Sequence, residues 1–338
     1  MKIGFAIIGT GTIADVHAKA ILKNKDAKLI AVRSESKERA EEFAKKYGIK
    51  AYTDYEELLK DKDIQAVDIV TKNNTHAELG IKAANAKKHV LVEKPIDISL
   101  TKAEKLVEEC KKNNVKLSVI SQKRFDKAIL LAKKIIDKKE FGNIEHVTVK
   151  MMWHRTKEYY ESSGGWRSKQ NTSGGGVLMI QAIHYINLLG YLFGDAESVK
   201  SELMYKYKME VEDTAHATIN FKNNIMAEID ATVTSPKTMP DRIEIKCVKG
   251  NILLYSFNGM HILRVYSRNF LRSTINQIQN MIHLLYIKKG SIGNQINDFI
   301  NSIKDNREPS VTGDDGLKTL KIVLALYKSA KLKKEVKV

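Results

Sequence analysis

Lys2-Ile3-Gly4-Phe5-Ala6-Ile7-Ile8-Gly9-Thr10-Gly11-Thr12-Ile13-Ala14 decides the fold. The apolar run from Lys2 to Ile8 predicts a strand covered on both faces, as in a parallel sheet. Gly9-Thr10-Gly11-Thr12-Ile13-Ala14 then opens a helix expected to reach about Lys23. The spacing is G-x-G-x-x-A. Gly9 permits the tight turn, Gly11 lets the backbone approach a pyrophosphate, and Ala14 lets the helix pack closely on the strand. Thr12 and Ile13 at the helix start supply N–H groups and the positive end of a dipole. A lone fingerprint is weak. Between a first strand and a helix, and ahead of a second strand, it is strong.

Moving outward, the second strand covers Lys28–Val32. An acid at its end holds the adenosine ribose hydroxyls and favours NAD. Ser34 stands there instead, and with Arg33 it suits a 2′-phosphate. Glu35 next to it either binds the ribose or repels that phosphate, so NAD and NADP both stay open. Strands are expected at Ala51-Tyr52, Ala66–Thr71, His89–Val92 and Lys116–Ile120, with helices over Lys37–Tyr47, Tyr55–Lys60, Thr75–Ala86 and Leu100–Asn113 between them. Such alternation gives a doubly wound parallel sheet, a Rossmann domain over residues 1–121. Residues 122–338 read differently. After helices at Phe125–Lys138 and Val177–Phe193, six strands follow in series from Ala196 to Val265. That pattern predicts an α+β domain with an antiparallel or mixed sheet, completed by the strand Ile144–His154 and by two closing helices near Asn294–Lys304 and Asp314–Leu332. Residues 267–289 carry no clean signal.

The chain has 338 residues, 43% of them hydrophobic, which fits two ordinary globular domains. We see no apolar run long enough for a membrane span and no leader peptide. Cys110 and Cys247 lie far apart and read as reduced thiols of a cytoplasmic protein. The net charge of +17 comes from lysines scattered over helix faces, without a basic block or a nucleic-acid module, so nucleic acid is not an expected partner. The 9 histidines show no metal spacing.

The chemistry concentrates at the strand ends. Thr71, Asn73 and His76 follow the fourth strand, Glu93 and Lys94 the fifth, Gln122 and Arg124 the sixth. In a parallel sheet these ends face one crevice, where a dinucleotide lies. His76 lines that edge without a chemical role of its own. His89-Val90-Leu91-Val92-Glu93-Lys94-Pro95 is the telling run: burial at a strand end lowers a lysine's pKa, and a proline there suits a cis bond. On that run alone, a catalytic lysine and a surface lysine before a turn are equally good readings. In the second domain, Gly174-Gly175-Gly176 precedes an apolar helix carrying Gln181 and His184. A histidine in such a helix is usually a packed core residue, but the glycines allow a backbone or a ligand close to the helix start.

Gly9–Ala14, Glu93-Lys94-Pro95, Trp166-Arg167 and Gly174-Gly175-Gly176 running to His184 together resemble the glucose–fructose oxidoreductase / inositol dehydrogenase family, Gfo/Idh/MocA. The resemblance covers essentially the whole chain. It implies a Rossmann domain joined to a domain with a large open mixed sheet, dimers or tetramers formed through that sheet, and an NAD(P)-dependent dehydrogenase acting on a sugar or cyclitol hydroxyl. It puts the family's catalytic lysine on Lys94, after a cis bond to Pro95, and its helix histidine on His184, and it implies that Trp166 and Arg167 reach the cofactor. Many members carry an aspartate four residues before the histidine, where Ile180 stands here, with Gln181 beside it. Lys72 replaces the family's usual proline after the fourth strand. Trp153-His154-Arg155, Glu158-Tyr159-Tyr160 and the Gln181-x-x-His184 helix are similar to the branch that oxidises the 3-hydroxyl of UDP-N-acetylglucosaminuronate. That makes Arg155, Tyr159, Tyr160 and Gln181 expected substrate residues with Lys94 and His184. An inositol or free-sugar dehydrogenase, and a non-enzymatic dinucleotide sensor, are the other readings.

Overall fold

The computed structural model describes residues 2–257, 260–267 and 291–338. Apart from Ser267, the unassigned stretch 267–289 lies outside these. The chain divides into two compact units, Met1–Gln122 with Ile292–Leu320, and Lys123–Ser291 with Lys321–Val338.

In the first unit, six parallel strands take the order β3-β2-β1-β4-β5-β6. They are β1 Ile3–Ile8, β2 Ala27–Arg33, β3 Lys50–Tyr52, β4 Ala66–Ile69, β5 His89–Val92 and β6 Leu117–Val119. Helices α1 Thr12–Lys23, α2 Lys37–Tyr47, α3 Tyr55–Lys60, α4 His76–Asn85 and α5 Leu100–Lys112 join them. Local chemistry sets several helix starts: Ser36, Asp54 and Ser99 each accept backbone N–H bonds from the first turn of the helix they precede. The strand order reverses between β1 and β4, the switch point where ligands of such sheets bind. The core packs Phe5, Ile7, Ala14, Ala18 and Ile21 against Ile296, Phe299 and Ile300 of the helix Ser291–Lys304. That helix is held by Gln295, whose Oε1 accepts from the Ser121 amide at 2.8 Å while its Nε2 donates to the Val119 carbonyl at 2.8 Å.

In the second unit, eight strands take the order β13-β12-β11-β7-β10-β9-β8-β14. They are β7 Ile144–Met152, β8 Ala196–Met204, β9 Thr214–Phe221, β10 Met226–Thr232, β11 Asp241–Cys247, β12 Gly250–Phe257, β13 Met260–Ser267 and β14 Val336–Lys337. Only β7 and β10 pair in parallel, so the sheet is mixed. Burial alternates along β7, β8, β10 and β11: Val147, Val149, Ile229, Ile243 and Ile245 point into the core. The other face is polar, with His146 3.3 Å from Glu228. The segment Gln170–Phe193 has the length and mean hydropathy, 1.4, of a membrane-crossing helix, which a reading without apolar runs of that length overlooks. Some 83% of its apolar window is buried within the protein, as in a core helix.

Candidate active site

The fingerprint turn has the shape its glycines suggest. Gly9 has φ +114°, and an added Cβ would stand 3.0 Å from the Val70 carbonyl oxygen. Gly11 is different: a Cβ there would meet nothing within 4 Å, and no side chain caps the helix that begins at Thr12. Ile13 packs on the core, while Thr12 is exposed. At the end of β2, the Ser34 hydroxyl accepts from the Thr10 hydroxyl and from the Ser36 amide, both at 3.3 Å. Arg33 donates from Nε to the Thr53 carbonyl and lies 3.8 Å from the exposed Glu35 carboxylate.

After β4, the Thr71 and Thr75 hydroxyls share a hydrogen bond of 2.7 Å, and Asn73 is buried. His76 has no exposed surface. Its Nδ1 lies 2.7 Å from the Pro95 carbonyl and its Nε2 3.1 Å from the Thr71 carbonyl. Burial pushes its pKa down, while the contacts to the Pro95 and Thr71 carbonyls work in the opposite direction. His76, expected at the cofactor edge, is thus turned towards the Pro95 and Thr71 carbonyls. The Lys94–Pro95 bond is cis. Lys94 is half-buried, and its amide donates to Glu93 Oε2 at 3.0 Å. Gln122 begins the turn after β6, and its buried Oε1 has no hydrogen-bond partner among the described residues.

Beneath Lys94 lies a group that the sequence reading missed. His17 of α1 is fully buried, with Nδ1 2.7 Å from Asp68 Oδ2 and Nε2 3.2 Å from Glu93 Oε1. Burial alone would lower its pKa, but the charge and hydrogen bond of Asp68, aided by Glu93, raise it to about 10. A signal was available. His17 falls on the buried Ala14, Ala18, Ile21 face of α1, and Asp68 interrupts an apolar strand.

In the second unit, two arginines interleave with aromatic rings. The Arg155 guanidinium sits 5.0 Å from the Trp153 ring and 5.7 Å from that of Tyr159; Arg167 sits 4.9 Å from Tyr159 and 4.6 Å from Trp166. Four of the expected residues, Arg155, Tyr159, Trp166 and Arg167, thus form one cluster. Tyr160 does not join it. It is fully buried, packed edge-on to Tyr159, and donates to Gln181 Oε1 at 3.4 Å. The Gln181 Nε2 is buried without a partner among the described residues.

Two of the three glycines admit close approach by other parts of the protein. A Cβ on Gly176 would fall 1.7 Å from the Glu212 carbonyl oxygen, and one on Gly175 1.9 Å from the Tyr327 hydroxyl. Glu212 is fully buried; its carboxylate accepts from the amides of Gly176 at 2.8 Å and Leu178 at 2.9 Å and from Tyr327 Oη at 2.9 Å. This carboxylate supplies the start of the helical segment that no adjacent side chain caps. A π-turn at Leu178–Ala182 then leads into Ile183–Phe193, which begins next to the half-buried His184. Tyr185 is tied on the other side: it accepts from the Lys123 ammonium at 3.0 Å and donates to Asp241, which also accepts from Trp153 Nε1 at 2.6 Å. Tyr185, next to His184, is therefore linked by hydrogen bonds through Asp241 to Trp153 of the arginine–aromatic cluster. No group of three or more metal-ligating side chains occurs among the described residues.

Residues 3–121 match the oxidoreductase family, NAD-binding Rossmann fold, and residues 133–338 match the oxidoreductase family, C-terminal alpha/beta domain. The chain belongs to the Gfo/Idh/MocA oxidoreductase family. Over its whole length it is 28% identical to the myo-inositol 2-dehydrogenase of Thermotoga maritima, covering 98% of that protein. It is also 28% identical to the scyllo-inositol 2-dehydrogenase (NAD+) of Bacillus subtilis, over 96% of this chain and 93% of that one. Its structure is similar to that of the WlbA dehydrogenase from Bordetella pertussis in complex with NADH and UDP-GlcNAcA, with TM-score 0.90, 26% identity and coverage of 100% and 98%. This Gfo/Idh/MocA protein is an oxidoreductase that uses a nicotinamide dinucleotide. Its residues fit that group. Gly11 leaves space over the start of α1, and Asn74 Oδ1 and Gln122 Oε1, in the loops after β4 and β6, are buried acceptors unpartnered among the described residues.

Proposed function

We propose that this oxidoreductase oxidises a secondary hydroxyl of a nucleotide sugar, the 3-hydroxyl of a UDP-N-acetylglucosaminuronate-like substrate, with NAD or NADP. The observation that carries this reading is the pair of guanidinium groups stacked among Trp153, Tyr159 and Trp166. Planar guanidinium groups bind carboxylates and diphosphates through paired hydrogen bonds, and the ring faces suit uracil or the apolar face of a sugar. A neutral cyclitol has no use for two such cations. The complex of the similar WlbA protein with UDP-GlcNAcA supports the same substrate class.

In this reading, Gly9, Gly11, Thr12 and Ile13 hold the pyrophosphate on backbone N–H groups. When bound, the oxidised nicotinamide accepts a hydride from the carbon that bears the hydroxyl. Lys94 donates to that hydroxyl oxygen and stabilises its growing negative charge. His184 takes the hydroxyl proton. Ser34 and Glu35 face the adenosine ribose; the Glu35 carboxylate beside Arg33 opposes a 2′-phosphate, which favours NAD. The protein acts in the cytoplasm as a homodimer or homotetramer, a state suggested by the broad polar face of the second sheet.

The test is turnover, followed by absorbance of reduced nicotinamide, on UDP-N-acetylglucosaminuronate, myo- and scyllo-inositol and free hexoses, with each dinucleotide. The nucleotide sugar should exceed every inositol in kcat/KM by about 10²-fold, the scale set by losing a charged contact, with NAD preferred to NADP. An inositol as the best substrate would replace this reading with that of the inositol dehydrogenases. Dinucleotide binding without turnover of any of them would favour a sensor.

A further inference from the structure

A buried trio of titratable side chains joins α1, β4 and the end of β5. His17, Asp68 and Glu93 come from α1, β4 and the end of β5, and none is more than 8% exposed. The charged groups against the His17 ring are Asp68 from β4 and Glu93 from the end of β5. Each ring nitrogen meets a carboxylate oxygen, at 2.7 and 3.2 Å, so with both acids ionised both nitrogens must carry a proton for both contacts to be hydrogen bonds. A neutral ring would turn a lone pair towards a carboxylate. The trio then holds one net negative charge, while Asp68 Oδ1 has no hydrogen-bond partner among the described residues. For stability alone, apolar side chains of the same volume serve as well as a buried ionic cluster. What apolar residues do not provide is a charged carboxylate at the root of Lys94. Glu93 spans the two: Oε1 faces His17 and Oε2 accepts the Lys94 amide at 3.0 Å.

We propose that His17 is a positioning residue for Lys94: as an imidazolium held between Asp68 and Glu93, it keeps Glu93 ionised and turned so that its second oxygen fixes the Lys94 backbone. The role rests on the reading of Lys94 as a catalytic group. Its action is indirect, because His17 has no exposed surface.

Two variants separate charge from packing. His17→Gln removes the charge and has donors on one nitrogen only, leaving the trio with two net negative charges. His17→Gln combined with Asp68→Asn restores one. The single variant should lower kcat about tenfold or more, as a displaced catalytic group does, with the NAD dissociation constant held within about twofold as evidence of a folded binding domain. The double variant should recover kcat to within about threefold of the parent. A purely structural role predicts a double variant no better than the single one, and that result overturns the proposal, as does a single variant with near-normal kcat. A second measurement stands apart from activity. In protein labelled with ¹⁵N-histidine, the signal absent from His17→Gln should show both ring nitrogens protonated at pH 8. A neutral ring there overturns the clamp even with all variants folded. A parent enzyme with no turnover on any sugar or inositol sinks the reading of Lys94 and the positioning role with it, while the ring signal still decides the clamp itself.

Discussion

Lys94→Ala is expected to lower kcat by about 10²–10³, the loss typical of removing one donor to a developing oxyanion. His184→Ala is expected to lower it by about 10²–10⁴, the range for a general base. In both variants the dissociation constant for NAD should stay within a few fold, because the proposed pyrophosphate site is the Gly9–Ala14 turn. Lys94→Arg should not restore turnover: a guanidinium is broader than an ammonium, presents its donors in a fixed fork and sits on a differently shaped stem. The double variant should be little worse than the worse single one, since residues acting in one step do not lose their effects additively. Single-turnover rates with bound dinucleotide provide the check. Near-normal rates in both single variants would remove these residues from the mechanism.

The second large effect is on folding. Gly176→Ala puts a Cβ 1.7 Å from the Glu212 carbonyl oxygen, 2.7 Å from its carbonyl carbon and 2.9 Å from its nitrogen. These are backbone atoms, so no flexible side chain can swing away. Moving Glu212 also breaks its carboxylate bonds to the Gly176 and Leu178 amides and to Tyr327. A buried carboxylate stripped of its donors is among the few single changes that cost more than about 4 kcal/mol. We expect a loss of about that size, read as a fall in the urea midpoint or as failure to obtain folded protein. Gly11→Ala is the contrasting case. Its φ of −73° is ordinary for any residue, and its Cβ meets nothing within 4 Å. Stability should change by less than about 1 kcal/mol, while NAD affinity falls, because the methyl group occupies space proposed for the pyrophosphate.

Much of the first unit was legible because its signals are local. The G-x-G-x-x-A turn, the caps Ser36, Asp54 and Ser99 and the alternation of apolar runs each act within a few residues. Lys94 could be placed at a strand end for the same reason. What escaped depends on which distant segment arrives. An amphipathic helix shows that it has an apolar face without naming the surface it covers, so nothing marked the pairing of Phe299 with Phe5. His17 and Asp68 are 51 residues apart, and each looks like a stray polar group in an apolar element until the fold pairs them. The Gly174–Gly176 run announced a close approach but not its source; Glu212 and Tyr327 turned out to supply it. Tyr159 and Tyr160 are neighbours of the same type, and only packing separates the ring stacked with two arginines from the ring sealed in the core.

The central claim is that a hydride leaves a substrate carbon for the nicotinamide. It is tested most directly with UDP-N-acetylglucosaminuronate carrying deuterium at C3. After incubation with the enzyme and NAD, the reduced cofactor should contain one deuterium at nicotinamide C4, found by mass and NMR spectroscopy, and on one face only. Unlabelled reduced cofactor, or none at all, would contradict the account.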